Sequence, residues 1–427
     1  MLRRREFLES SATLATLATS AFLRSAVFAG QPLSTRKTVA FIGTVVYQHS
    51  HAQHFLDRLT AGYAWQGAWQ SPRVNVASVY IDQFPASDLG RERIKRHRLK
   101  QFDTIRDALT LGGKSLAVDG VVIIGEHGKY KKTNKGQTRY PRYEWFKQVV
   151  RVFEESGRSV PVFNDKHLST DWNESVEMVA DSRRLGFPFL AGSSLPVTLR
   201  HPSIDMPHDV DLQESVCVAY GGVDSYDFHA YETAQCMSER RRGGEVGISS
   251  VQAVKGEALW SMLESDDRRV TRDLFVAALT RSHNLPVEGG FPSGKVTYAW
   301  AKRALPETTG FFVTHRDGFR TTAFLTGIRD FNYAGYIGST DEIVSCQMYL
   351  PMPGHGSTTA DFFNPLVRHI EDLVLTGKTP YPVERTLLTS GMVIGGVESL
   401  HAGQAPFDTS DMAVKYTVPN TSTFWRD

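Results

Sequence analysis

Val160-Pro161-Val162-Phe163-Asn164-Asp165-Lys166-His167-Leu168-Ser169 is the stretch from which the fold is read. A short apolar run ends in an acid, a lysine and a histidine, and a helix-type pattern follows from Thr170. Strand, polar turn and helix form the repeating unit of an open α/β sheet, in which ligands bind beyond the carboxyl ends of the strands. A lysine there can hold a substrate oxygen or pass it a proton, provided its pKa is tuned.

The same alternation runs through residues 37–180. Thr38-Val39-Ala40-Phe41-Ile42 is a buried-strand run ending at Gly43, and helical periodicity covers about 52–59. A strand over 74–81 closes at Asp82, followed by helical stretches over 88–98 and 104–109. Gly120-Val121-Val122-Ile123-Ile124-Gly125 is continuously apolar, as expected of a strand covered by helices on both faces. Residues 143–156 are helical, 160–163 form the next strand and 173–185 a further helix. The pattern predicts a Rossmann-like, doubly wound parallel sheet over 37–187.

After Phe187 the texture changes. Pro188, Pro196, Pro202 and Pro207 punctuate a connection, and strand-like stretches follow at 214–220, 245–255, 294–299, 310–315, 319–328 and 343–349. They predict an α+β C-terminal domain, 188–427, with an open, mostly antiparallel sheet. Helices are expected over 361–376 and 383–400.

The first residues read as an address rather than as structure. Arg3-Arg4-Arg5-Glu6-Phe7-Leu8 is a twin-arginine pattern, and Val27-Phe28-Ala29 offers cleavage before Gly30. The uncharged stretch between Glu9 and Arg24 is 14 residues long, too short for a span. A signal peptide over 1–29 predicts periplasmic or secreted localisation, leaving 398 of 427 residues and no stable membrane span. The net charge of +2 gives no broad field for nucleic acid. Cys217, Cys236 and Cys346 lack CxxC spacing, which argues against a disulfide framework or structural zinc and leaves room for one disulfide.

Taken together, the order of parts resembles the glucose-fructose oxidoreductase/inositol dehydrogenase (Gfo/Idh/MocA) family, in a divergent, twin-arginine-exported form. Asp165-Lys166-His167 occupies the place of the family's Glu-Lys-Pro motif, and Arg200-His201-Pro202 is similar to its Arg-x-Pro segment. His229-Ala230-Tyr231-Glu232 is similar to its His-x-x-Asp element at the head of a helix. The resemblance, over about 37–405, implies an oxidoreductase acting on a sugar or polyol with NAD or NADP. Lys166 and His229 would be the acid/base pair, with Asp165 beside them. Glu232, one turn on from His229, would orient the imidazole. Gly43, Thr44, Asp82, Gly125, Glu126 and His127 would hold the cofactor, and the C-terminal sheet's open face would mediate homo-oligomerisation.

The chain departs from the family at the phosphate turn and at the lysine motif. Val45 and Gln48 stand where its phosphate turn has a second and third glycine, which removes the close approach to pyrophosphate and the helix–strand packing. Asp82 lies 39 residues after Gly43 instead of about 20, consistent with an insertion at 63–73. His167 replaces the family's proline. Meanwhile His49, His51, His54 and His127, with Asp165 and His167, offer N/O ligands for a divalent metal such as Zn²⁺. The alternatives are therefore a metal-assisted carbohydrate hydrolase or lyase on the same scaffold, and a non-catalytic carbohydrate-binding protein.

Overall fold

A computed structural model describes residues 36–426 apart from 289–290, 293–294 and 352–359. The twin-arginine segment lies outside the described residues. Residues 37–427 form one compact unit holding two large sheets.

The first sheet comprises β1 (Thr38–Val45), β4 (Asn75–Gln83), β5 (Lys100–Gln101), β6 (Gly120–Ile124), β7 (Val162–Asp165) and β8 (Phe189–Gly192). Between β1 and β4 a hairpin, β2 (Tyr63–Trp65) and β3 (Ala68–Gln70), occupies the expected insertion. Helices α1 (His51–Ala61), α2 (Gly90–His97), α3 (Ile105–Thr110), α4 (Arg142–Ser156) and α5 (Trp172–Arg184) connect the strands. The order β5-β4-β1-β6-β7-β8 is parallel throughout. The chain leaves β1 toward one edge and later returns to β6 on the other side. The switch point, where such sheets open a ligand crevice, thus lies between β1 and β6. β6 is buried along its whole length, which explains its lack of polar alternation.

The second sheet is mixed and mostly antiparallel. Its strands are β9 (Arg200–His201), β10 (Leu212–Tyr220), β11 (Ile248–Lys255), β14 (Thr309–His315), β15 (Arg320–Thr326), β16 (Phe331–Ile337), β17 (Glu342–Met348) and β18 (Phe407–Asp408). Two-residue strands β12 (Val287–Glu288) and β13 (Phe291–Pro292) pair separately. The large sheet runs β18-β11-β14-β15-β10-β16-β17-β9, with β10–β15 its parallel pair. Helices α6 (Asp227–Ser238), α7 (Glu257–Leu263), α8 (Arg269–Leu279), α9 (Tyr298–Ala304), α10 (Asn364–Thr376) and α11 (Glu384–His401) complete the unit.

Some expectations need correction. The stretch 294–299 runs into α9, because Thr297 caps the helix by accepting from Trp300 N. β16, α7 and α8 had no counterpart in the sequence reading. Those helices change the second sheet's outer face. Val216, Val218, Phe312 and Phe324 pack against Leu259, Trp260, Leu274 and Phe275, so the face expected to serve oligomerisation is covered. The opposite face packs on α6 and α11 in a cluster that continues into the first sheet. The three cysteines are free and buried, with no disulfide among them. Among the described residues no helix is long and apolar enough to cross a membrane.

Candidate active site

Three adjacent parallel strands end at the switch-point edge, and each delivers a polar residue in a left-handed backbone conformation. His49 (φ 69°) follows β1, His127 (φ 68°) follows β6 and Lys166 (φ 70°) follows β7. Such conformations are costly for side chains with a Cβ and persist only where the surroundings impose them. At Lys166 the constraint is visible: its N–H donates to Gly192 O at 3.0 Å, tying the turn to the end of β8. Together with His229 of α6, these strand ends line a cavity of about 280 Å³.

The ammonium of Lys166, in a residue only 5 % exposed, donates to His229 Nε2 at 2.6 Å. Glu126 Oε1 stands 4.0 Å from the same nitrogen. The other oxygen, Glu126 Oε2, accepts from Arg142 Nη2 at 2.5 Å, while Arg142 Nη1 reaches His167 Nε2 at 3.0 Å and Nε donates to Gly125 O at 2.9 Å. Gly125 must be glycine for this packing, since a Cβ there would lie 2.6 Å from Arg142 Cγ. Burial pushes the Glu126 carboxyl up, but the Lys166 and Arg142 cations outweigh it and hold it at about 2. Burial, reinforced by Lys166, pushes the His229 imidazole well below the usual histidine range, so the ring is neutral and accepts the lysine's hydrogen bond.

A second pair lies beside the first. His51 Nδ1 sits 2.7 Å from Asp165 Oδ2, at the base of the cavity. Burial pushes the Asp165 carboxyl up to about 7, opposed by Lys166, and pushes His51 down. Both shifts favour the neutral forms, a carboxyl beside a neutral imidazole.

The structure brings Lys166, His229, Glu126, His127, His49, His51 and His54 to one cavity, with Asp165 directly behind His51. Glu232 does not orient His229: its Oε2 accepts from Ser193 N (2.7 Å) and Ser193 Oγ (2.5 Å). His229 Nδ1 has no partner among the described residues. The metal set is not assembled either. Among the described residues no group of three or more His, Cys, Asp or Glu is arranged to hold an ion. His51 is turned to Asp165, and His54 stacks on Phe363 with ring centroids 4.8 Å apart. Arg142, which orders Glu126 and His167, carries no sequence signal beyond being one arginine among several.

The dinucleotide end of the crevice differs from a glycine turn. Seven residues separate Gly43 from α1, with Thr44, Val45 and Val46 buried. Thr44 Oγ1 donates to the Glu126 carbonyl. Ser50 caps α1 by accepting from Gln53 N at 3.2 Å, Gln53 Oε1 accepts from His49 N at 3.0 Å, and His51 N points to His127 Nδ1 at 3.5 Å. The N–H groups of His49 and Gln53 at the head of this helix, where a pyrophosphate would be cradled, are thus satisfied from within. Asp82 accepts from Tyr130 Oη at 2.7 Å and Tyr80 Oη at 3.0 Å, while Gln83 clasps Lys129 through both its N–H and its carbonyl. These residues do not fit a dinucleotide held in the family's manner.

No protein-family profile matches the chain, and no curated protein does. Solved structures match it in fold. A myo-inositol dehydrogenase from Lactobacillus casei, in complex with NAD(H) and myo-inositol, has a TM-score of 0.53 at 11 % identity, covering 88 % of this chain and 97 % of its own. The chain has the fold of these dehydrogenases. GenD2 from gentamicin A biosynthesis, in complex with NAD, has a TM-score of 0.52 at 13 % identity, covering 90 % and 100 %. An apo scyllo-inositol dehydrogenase from Lactobacillus casei has 0.51 at 8 % identity, covering 87 % and 98 %.

Proposed function

We propose that this chain is a carbohydrate- or polyol-converting oxidoreductase of the Gfo/Idh/MocA type, with Lys166 and His229 moving a proton at a substrate hydroxyl. The observation that carries the reading is the 2.6 Å contact between Lys166 Nζ and the neutral His229 Nε2 in a buried cavity on a dehydrogenase fold. A hydroxyl entering between them accepts from the ammonium and donates to the imidazole. The ammonium then stabilises the oxygen as its proton leaves. Glu126, itself held by Arg142, stands 4.0 Å from Lys166 Nζ and holds it in place.

Oxidation of a substrate carbon would need a hydride acceptor, by class a nicotinamide such as NAD or NADP, bound otherwise than through the family's glycine turn. The filled turn after Gly43 favours a second reading in which the same pair, aided by His51 and Asp165, performs non-oxidative lyase or hydrolase chemistry on a carbohydrate. Absorbance of nucleotide released from natively purified protein, together with titration by added NAD(P)H, separates the two. Bound or bindable nicotinamide supports oxidoreduction, and its absence with sustained turnover supports the second reading. Under either, Lys166→Met should lower kcat by about 10²–10⁴-fold with an unchanged circular dichroism spectrum. Full turnover would remove the pair from both. We also propose export by the twin-arginine route, tested by whether the mature chain from the exported fraction begins at Gly30.

A further inference from the structure

A second and larger cavity, of about 1010 Å³, runs along the outer side of α1. Its walls come from α1, α2 and the β2–β3 hairpin, and His49 and His54 line both it and the catalytic cavity. With 11 residues, α1 is ~16 Å long, and the groove lines it from His49 at its head to Gly62 past its end. The groove therefore leads away from Lys166 over a distance that a single sugar ring does not fill.

Three features make it a site for a polyhydroxylated ligand. Trp69 is 68 % exposed, the most exposed large hydrophobic side chain among the described residues. Its Nε1 donates to Ala61 O at 3.2 Å, which fixes the indole edge against the end of α1. An indole held at the rim of a polar groove offers a rigid apolar face to the C–H face of a sugar ring. The groove is also lined by Gln53, Asp57, Arg93 and Arg96, where Asp57 accepts from Gln53 Nε2 at 2.6 Å and Arg93 Nε at 3.0 Å, a polar network that a hydroxyl-rich ligand would join. His54, which lines both cavities, is only 5 % exposed and its Nε2 has no partner among the described residues. An unsatisfied buried nitrogen is a costly state that a hydrogen bond to a bound hydroxyl would relieve.

We infer that the groove beside α1 binds the remainder of an oligosaccharide whose terminal ring enters the Lys166–His229 cavity, one of its rings resting on Trp69. The inference rests on the carbohydrate reading above and deepens it from a free sugar to a sugar chain.

The full-length protein is titrated with glucose, xylose, maltotriose, cellotriose and xylotriose, following tryptophan fluorescence and heat of binding. At least one trisaccharide should bind about tenfold or more tighter than its monosaccharide. Trp69→Ala should abolish that gain, and Trp69→Phe should keep most of it. Monosaccharide binding, lost in Lys166→Met, reports on the cavity alone. Monosaccharide binding without any trisaccharide gain overturns the groove and leaves the cavity reading intact. A gain that survives Trp69→Ala does the same, while absence of all binding overturns both.

Discussion

At the scale of the residue, the site is a set of buried ionisable groups held in unequal protonation states. Glu126 is kept charged by two cations, His229 is kept neutral by burial, and Asp165 sits between the two states. Glu232 shows how such burial reaches stability. It is fully buried, Oε1 has no partner among the described residues, and burial pushes its carboxyl up to about 7 against the bonds from Ser193. A raised folded value means that the native state binds the proton more tightly than the unfolded chain. The associated stability is complete below the unfolded carboxylate range, ~4.3, and is lost as pH rises through about 7. Glu232→Gln carries no such titration. It should gain on the wild type by on the order of 2 kcal/mol between about pH 5 and about pH 8, read from denaturant unfolding at each pH. Parallel pH profiles for the two proteins would refute it. The sequence marks Lys166 and His229 because a strand end and a helix head are local features. It misassigns Glu232 because Ser193 lies 39 positions away and is brought near only by β8.

At the scale of the element, the strand-ends carry the chemistry and their neighbours pin them. Gly192 ends β8 with φ +128°, receives the Lys166 N–H, and leaves a Cβ no room: Glu232 Oε1 would be 2.6 Å away and Tyr381 Oη 2.8 Å. Gly192→Ala should therefore cost roughly 1–3 kcal/mol and displace the Lys166 turn. Thermal unfolding would show the loss, and a melting temperature equal to the wild type's would contradict it. The helices α1, α4, α5, α10 and α11 are legible from apolar periodicity, capping residues and stops such as Gly377, whose left-handed φ of 73° ends α10. β16 and α8 are harder. Both faces of β16 are buried, so the contrast between inner and outer residues that marks a strand is weak.

At the scale of the whole molecule, the two sheets share one core. A single cluster joins Val121, Phe146 and Phe189 of the first sheet's layer to Ala219, Val251 and Phe311 of the second and to Leu388 of α11. Unfolding should accordingly be one transition, with near- and far-ultraviolet circular dichroism superimposing across a denaturant series. Two separated transitions would show that the layers are independent. The sequence alone determined the alternating layer, the antiparallel texture that follows, and the addresses of Lys166 and His229, because these rest on periodicity and turn chemistry within a few residues. Only the tertiary structure decided the rest. It showed that buried Thr44, Val45 and Val46 fill the place of a glycine turn, that a His51–Asp165 pair forms beside Lys166, that Tyr130 and Gln83 close over Asp82, that α7 and α8 cover the second sheet, and that a Trp69 groove opens beside the site. Each depends on residues far apart in the chain meeting in space, and no local pattern encodes that meeting.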